Sequence, residues 1–341
     1  MAPVDELVRI LGRRVIPPER METTACLASR LAEAAGPSLL SAIFFGSHLS
    51  GASPAPESAY DFFLIVSGYG EFYRALRRKG LFSRPAGPAA LANVFLPPNL
   101  ISTAFAVEGR RVLVKGAVVS ARVFARETGK GRHDHFQTAR LFQHSAIAYS
   151  RSPAIERFVL AALARTALGT WAWAKPRLPE AFGLEDYLRT LFRISLEAEI
   201  KPEGPERGEA LFLSQRTALE PVYALVLDEA AAAGEIRRLG TDRYGLIRPA
   251  TLREHRESRR FFARSKMRAT ARWVKHRWTF EGSRDYIARK FERRGDPRIL
   301  AIIRERKVPL IFLWPRIARE LRLRRRRDGG SGPQGGSACP P

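Results

Sequence analysis

The sequence predicts an α+β fold, in which a mixed sheet domain is followed by a helical domain and then by a basic amphipathic C-terminal region. Three observations lead to this prediction. Short apolar runs of strand length occupy the first part of the chain, helical periodicity dominates the middle, and Lys and Arg accumulate after Thr251. The predicted segments are 1–128, 129–250 and 251–327, and a Gly/Ser/Pro-rich tail at 328–341 is predicted to be disordered.

The first segment alternates between helix and strand signals. Met21–Ala35 has apolar residues on one stripe and ends at Gly36-Pro37, which predicts a helix. Leu39–Phe45 and Tyr60–Val66 are apolar runs with the length of buried strands. The other elements predicted here are a helix at Glu71–Lys79, strands at Leu91–Phe95 and Ile101–Val107, and a hairpin strand at Arg111–Ser120.

The second segment has the period of helices and few strand signals. Ser152-Pro153 is a typical helix start, because proline is favoured at the first helical position. The helices predicted are His135–Tyr149, Ser152–Ala174, Leu184–Ile200 and Glu209–Ala233, with one short strand near Tyr244–Ile247.

The charge of the chain is strongly positive and uneven. The formal net charge is +24, and Thr251–Arg327 contains 26 Lys and Arg against 8 Asp and Glu, a net of +18. Such asymmetry indicates a polyanionic partner, either nucleic acid or an anionic membrane surface, although a solvated basic face without a partner remains an alternative.

Cysteine content and hydropathy restrict the class of protein. The two cysteines, Cys26 and Cys339, argue against a disulfide framework or a thiolate metal site. No apolar stretch has the length of a membrane span, and the N-terminus lacks the apolar run of a signal peptide. We therefore expect a cytoplasmic protein that, if it meets a membrane, lies on the inner face as a peripheral protein.

One segment carries the pattern of a chemical site: FFGSHLSGASPAPESAYDFFLIV, Phe44–Val66. A strand ends at Gly46-Ser47, a loop follows, and a second strand opens with Asp61. Gly46 allows a tight turn close to a triphosphate, and a helix beginning at Ser47 would aim backbone N–H groups at phosphate. Asp61 would hold Mg²⁺. The pattern favours nucleotidyl transfer, and the alternative is an ordinary loop with an incidental aspartate.

The motif departs from the common nucleotidyltransferase pattern in one respect. That pattern has two acids separated by one residue, whose side chains lie on the same face of the sheet. Here the second position is Phe63. A metal site made of two carboxylates is therefore excluded at Asp61 and Phe63.

Several segments, in order, resemble the mitochondrial-type phosphatidate cytidylyltransferases, the translocator-assembly-and-maintenance type, of which this chain looks like a diverged bacterial-like member. In that family the second acid is also absent, so Phe63 agrees with the resemblance. The matching segments span Leu39 to about Pro202: the Gly46-Ser47 turn, YDFFLIV (Tyr60–Val66), LPPNLIS (Leu96–Ser102), GRRVLVKGAVVS (Gly109–Ser120), ARLFQ (Ala139–Gln143) and LPEAFGLEDYLRTLFRISLEAEIKPE (Leu178–Glu203).

The resemblance implies an activity and roles for residues. The family makes CDP-diacylglycerol and pyrophosphate from CTP and phosphatidic acid. Asp61 would hold Mg²⁺, Gly46 and Ser47 would bind the triphosphate, and Lys115 would stabilise phosphate charge. Two features differ from the family: Gly116 directly follows Lys115 where the family has a Tyr, and Ser67–Leu76 contains a single acid.

The sequence leaves other functions open. One is a nucleotidyltransferase with another acceptor, such as RNA or a protein, and another is a non-catalytic RNA-binding protein on a degenerate scaffold. The basic region suits either RNA or an anionic membrane, because aromatic residues alternate with Arg and Lys. In the membrane interpretation the interfacial anchors are Trp273, Trp278 and Trp314.

Two further motifs have competing interpretations. His133-Asp134-His135 could ligate a metal, but lacks further ligands at a suitable spacing and is interpreted as an exposed linker. Trp171 and Trp173 could stack on bases, but residues of this kind on a helix more often belong to the core.

Overall fold

A computed structural model of the chain describes residues 3–50, 58–197 and 205–280, together with residues 297, 301–302 and 319–320. Met1–Glu281 forms one compact unit, and Gly282–Pro341 forms a second. The predicted tail at 328–341 lies outside the described residues. Among the described helices, none combines the length and the apolar character needed to cross a membrane.

A five-stranded mixed sheet organises the first part of the chain. Its strands are β1 (Leu39–Phe45), β2 (Tyr60–Val66), β3 (Asn99–Val107), β4 (Arg110–Ser120) and β5 (Ser145–Ser150). They lie in the order β3-β4-β2-β1-β5. The β2 strand runs parallel to β4, and the other neighbouring pairs are antiparallel. The predicted α+β class with a mixed sheet is confirmed.

The two faces of this sheet are covered by different cores, because alternate side chains of a strand point in opposite directions. One face carries Phe44, Phe62 and Leu64, which pack with the helices α2 (Pro18–Ala35), α3 (Tyr69–Arg78) and α4 (Ala86–Phe95). The opposite face carries Phe63 and Ile65 and packs with the helical region. The face that carries Phe63 is also the face to which Asp61 belongs.

The helical region contributes its own elements to that second core. Its helices are α5 (Ala121–Glu127), α6 (Thr138–Leu141), α7 (Pro153–Leu168), α8 (Trp171–Ala174), α9 (Leu184–Glu197) and α10 (Pro205–Ala232), joined by α1 (Pro3–Gly12) from the N-terminus. A small antiparallel sheet adds β6 (Ala181–Gly183), β7 (Ile236–Arg238) and β8 (Arg243–Leu246) in the order β6-β8-β7. Residues before and after position 128, the predicted end of the first domain, pack in this core. The domain boundaries stay a prediction.

The basic segment begins with one long helix, α11 (Leu252–Thr279). Thr251 caps it in a capping box with Glu254, in which each side chain accepts a hydrogen bond from the other residue's backbone N–H. Along its length α11 reaches from the helical region, where Phe261 and Phe262 contact Trp173, to β3. The helix therefore connects the helical region to the sheet.

Two predicted elements were wrong. Leu91–Phe95 was predicted to be a strand, but it is the last half of α4, whose buried residues Ala86, Ala89 and Asn93 follow a helical spacing. His135–Tyr149 was predicted to be a helix. It contains only the short α6 and then β5, which pairs with β1 more than a hundred residues earlier.

Candidate active site

Asp61 lies at the beginning of β2, between two neighbouring strands. Its register partners are Phe45 on β1 and Lys115 on β4. The Lys115 Nζ is 3.8 Å from the Asp61 Oδ1, and the two side chains are 20% and 27% exposed, respectively. The carboxylate and the ammonium group are thus adjacent and partly exposed to solvent. A site that binds a phosphate group together with a metal ion requires such an arrangement.

Gly46 brings the backbone against this carboxylate. It has a φ of +90°, in the region that favours glycine, and a Cβ at this position would lie 2.9 Å from the Asp61 Oδ2. The backbone conformation therefore favours glycine, and any larger residue would also displace the Asp61 carboxylate. The predicted Gly46 and Asp61 are brought together, and Lys115 joins them.

The helix expected to begin at Ser47 is not found in the described residues 46–50. The segment is a single turn, in which the N–H groups of Leu49 and Ser50 donate to the Gly46 carbonyl, both at 3.0 Å. Residues 51–57 lie outside the described residues, so a helix that begins at Ser47 stays a prediction. The turn itself does not use the N–H groups of Ser47 and His48, which lie at its start.

His48 fixes this turn to the start of β2. Its ring stacks on Tyr60 with centroids 4.1 Å apart, and its Nε2 lies 3.0 Å from the Ser58 carbonyl oxygen, to which it donates. Burial lowers the pKa of His48, although the Ser58 carbonyl opposes that shift. The neutral ring therefore holds the two ends of the intervening loop together, beside Asp61.

Among the described residues, Asp61 has few carboxylates near it that could help to bind a metal ion. Phe63, two residues after Asp61 on the same face, is fully buried. In the part of the chain that the structure describes, no group of three or more His, Cys, Asp or Glu side chains is arranged to hold a metal ion. Mg²⁺ commonly binds through one or two carboxylates together with substrate phosphates and water, so Asp61 fits an ion that arrives with a triphosphate.

A layer of cations lies over the sheet beside this site. The Phe136 ring meets Phe63 edge-on, with centroids 6.4 Å apart. The guanidinium carbons of Arg140 and Arg272 lie 4.2 and 4.7 Å from the centroid of Phe136. Neither arginine was predicted as a site residue, although Arg140 belongs to the ARLFQ segment of the family resemblance.

The interpretation of His133-Asp134-His135 as an exposed linker was wrong, because Asp134 and His135 are both buried. Asp134 pairs with Arg268 and Arg272 of α11, each at 2.9 Å. Burial alone would raise the pKa of Asp134, but these charges and the Phe136 N–H hold it below its usual value. The acid serves an ion-pair network.

The tryptophans have different environments. Trp173 is buried and Trp171 packs against the same core, so the core interpretation of this pair is confirmed. Trp273 and Trp278 are both partly buried on α11, and Trp278 packs against the core that contains Phe44. Trp314 lies outside the described residues. The proposed anchoring role of these side chains stays a prediction.

Comparisons with known proteins include a distant structural similarity. No protein-family model matches the chain, and neither does any curated protein. Among solved structures, the chain is similar to spectinomycin adenyltransferase AAD(9) from Enterococcus faecialis, determined with ATP and spectinomycin. The TM-score is 0.25 and the identity 12%, over 62% of this chain and 96% of that chain. Similarity at this level does not by itself assign an activity, so the chemistry of this chain must follow from its own residues.

Proposed function

We propose that the chain is a nucleotidyltransferase that transfers CMP from CTP to phosphatidic acid, giving CDP-diacylglycerol and pyrophosphate. The observation that carries the proposal is the meeting of Gly46 after the end of β1, Asp61 near the start of β2 and Lys115 in the middle of β4. A close backbone approach, a carboxylate and a cation are the groups that a triphosphate and its metal ion require. The choice of CTP and phosphatidic acid rests on the family resemblance.

The reaction forms one bond and breaks one bond. A phosphate oxygen of phosphatidic acid attacks the α-phosphorus of CTP. The bond from that phosphorus to the oxygen that bridges to the β-phosphate breaks, and pyrophosphate leaves with the electron pair. Catalysis of this kind consists mostly of positioning and of neutralising charge.

Each residue of the site has a defined part in that process. Gly46 lets the triphosphate approach the backbone, and the Ser47 hydroxyl and the N–H groups at the start of the turn donate to phosphate oxygens. Lys115, the register partner of Asp61, neutralises phosphate charge. Mg²⁺, held by Asp61 and phosphate oxygens, would supply further neutralisation of the leaving pyrophosphate.

The proposed function is tested by its product. The full-length protein is incubated with Mg²⁺, liposomes that contain phosphatidic acid, and one labelled nucleoside triphosphate at a time. We expect label in the lipid fraction with CTP. If another nucleotide labels the lipid fraction, the proposed nucleotide substrate is wrong. If label is transferred to added RNA or protein but not to lipid, the proposed acceptor is wrong. The absence of label from every acceptor contradicts the proposal.

A non-catalytic RNA-binding function is the second candidate. It is favoured by Asp61, which is the one carboxylate that the described residues bring to the site and pairs with Lys115, and by exposed basic side chains of α11 such as Arg256 and Arg260. RNA binding with an affinity that falls steeply with salt, together with no nucleotide transfer, is the result that would favour it.

A further inference from the structure

The outer face of α4 is apolar and exposed to solvent. Leu91, Val94 and Phe95 are 57%, 61% and 74% exposed, and their spacing of three and four residues places them on one side of the helix. Gly87 and Pro88, one turn earlier on the same side, are exposed too. A surface helix ordinarily presents charged or polar side chains to water, and the outer face of α4 presents none.

The composition of α4 explains why no polar group reaches this face. Asn93 is the only polar residue between Ala86 and Phe95, and it is buried. Its side-chain amide donates to the Tyr73 hydroxyl and to the Val118 carbonyl, each at 3.1 Å, so it is committed to the interior. Three neighbouring apolar side chains left in water on one face, unlike a single one, indicate a partner that covers them.

The last turns of α11 contact the chain on both sides of α4. Before α4, the Arg84 Nε donates to the Trp278 carbonyl at 3.0 Å. After it, the Lys275 Nζ donates to the Leu96 carbonyl, and to the Pro98 carbonyl at 2.8 Å. The apolar face of α4 therefore belongs to the part of the structure where the basic helix meets the sheet domain.

The segments that meet there carry positive charge and contain no acids. Lys79–Val107, which includes α4, has two basic residues and no Asp or Glu. Arg259–Phe280, most of α11, has eight Lys and Arg and likewise no Asp or Glu. Its exposed cations include Arg259, Arg260, Arg264 and Lys266. An apolar face beside basic segments of this kind is complementary to a surface that is anionic outside and apolar beneath.

Two other kinds of partner fit these features less well. A second copy of the chain would bring the same cations face to face, and like charges repel. Nucleic acid is bound through phosphate contacts and base stacking, to which the aliphatic Leu91 and Val94 contribute nothing. An anionic bilayer receives apolar side chains at the boundary of its acyl chains, while its headgroups attract Lys and Arg.

We propose that the outer face of α4 inserts into anionic membranes, with Leu91, Val94 and Phe95 at the level of the acyl chains. The cations of α11 attract the protein to the headgroups, and the apolar face of α4 holds it there. This surface differs from the tryptophan anchors expected from the sequence. The inference does not depend on the proposed reaction, because an anionic bilayer without phosphatidic acid satisfies it.

Matched apolar residues elsewhere on the surface make the test specific. The double variant Leu91→Gln/Val94→Gln is compared with Val15→Gln/Leu213→Gln, whose residues are 68% and 58% exposed in the wild type. Binding of the full-length proteins to vesicles of phosphatidylcholine and phosphatidylserine in equal parts is measured by co-sedimentation at low and at high salt. Circular dichroism confirms that each variant is folded, and analytical ultracentrifugation without lipid gives the oligomeric state.

We expect the partition coefficient of Leu91→Gln/Val94→Gln to fall about ten-fold or more, and that of the control variant to stay within about two-fold of the wild type. The ratio between the wild type and the α4 variant should persist at high salt, although both bind more weakly, because salt screens charges but not apolar contacts. The fluorescence of Phe95→Trp should shift to the blue on vesicles and be quenched by brominated acyl chains, unlike that of Leu213→Trp.

Three results overturn the inference. They are an equal loss or no loss of vesicle binding in the two double variants, no vesicle binding by the wild type, and a wild-type dimer that Leu91→Gln/Val94→Gln dissociates. The last result would assign the face of α4 to contact between two copies of the chain. Vesicle binding that depends on α4, without any nucleotide transfer, contradicts the proposed function alone.

Discussion

At Gly46, two requirements for glycine coincide, and they can be separated by mutation. Gly46→Ala introduces both an unfavourable positive φ and a methyl group 2.9 Å from the Asp61 Oδ2. Gly80→Ala introduces only the first, because its φ is +70° and its Cβ would meet nothing within 4 Å. We expect both variants to lose about 1 kcal/mol of stability or somewhat more, but only Gly46→Ala to lose nucleotide binding.

The measurement is the free energy of unfolding together with the dissociation constant for CTP. Equal effects of the two alanine variants on CTP binding would show that the close approach of Gly46 to Asp61 has no part in nucleotide recognition.

Ser47 and Lys115 test the phosphate contacts at the same scale. Ser47→Ala removes one donor to a charged group, which typically contributes about 1.5–3 kcal/mol, and Lys115→Ala removes a charge 3.8 Å from Asp61. We expect both variants to bind CTP more weakly and to transfer more slowly, as steady-state kinetics with varied CTP would show. If neither binding nor rate changes, the triphosphate lies elsewhere.

At the scale of elements, the strands that form the active site could be predicted from the sequence. Leu39–Phe45 and Tyr60–Val66 are continuous apolar runs because both faces of these strands are buried, and their bounds match β1 and β2. The proximity of Gly46 and Asp61 could be predicted from the same pattern. Local pattern was sufficient here because the strands are consecutive and pair with each other.

Other elements depended on contacts that the local sequence does not contain. The helix α4 was mistaken for a strand because its outer residues Leu91, Val94 and Phe95 are apolar although they are exposed. The β5 strand is short, and its pairing with β1 joins segments about a hundred residues apart. The burial of Asp134 was missed for the same reason, since its partners on α11 lie 134 and 138 residues later.

The helix α11 gives the membrane proposal a testable surface. Arg256, Arg260 and Arg264 follow one another at intervals of four residues and are exposed, so they lie on one outer face. We expect their replacement by Glu to abolish co-sedimentation with liposomes that contain phosphatidic acid, because each basic residue near an anionic surface contributes about 1 kcal/mol. The binding of CTP should be unchanged.

The same triple reversal at the exposed Arg74, Arg77 and Arg78 of α3 is the matched control, and it should leave liposome binding intact. Loss of binding in both variants would indicate a dependence on net charge alone. If the wild-type protein binds RNA tightly but does not bind the liposomes, the nucleic-acid alternative is favoured.

For the whole molecule, the buried His135 and the partly buried His144 and His276 indicate how stability depends on pH. Burial lowers the pKa of His135 and of His144 to about 4, and that of His276 to about 3. The unfolded chain takes up these protons near pH 6.5 whereas the folded chain does not. The free energy of unfolding should therefore fall as pH decreases from about 6.5 towards 4.

Urea unfolding at a series of pH values measures this dependence, and His276→Gln should reduce its slope in that window. A His276→Gln variant whose slope equals that of the wild type would show that the ring is not neutral in the folded state. The contact of this ring with the Pro98 carbonyl makes the test specific to the junction of α11 with the sheet.

The central claim, nucleotidyl transfer at Asp61, is tested most directly by Asp61→Asn in the full-length protein. The amide keeps the shape of the side chain beside Lys115 and Gly46 but loses the charge that a metal ion needs. The measurement is the Mg²⁺-dependent transfer of labelled CMP to phosphatidic acid, with circular dichroism as the test of folding. We predict a folded variant with a rate lower by about 10³-fold or more. A rate within a few-fold of the wild type, still dependent on Mg²⁺, would contradict the account.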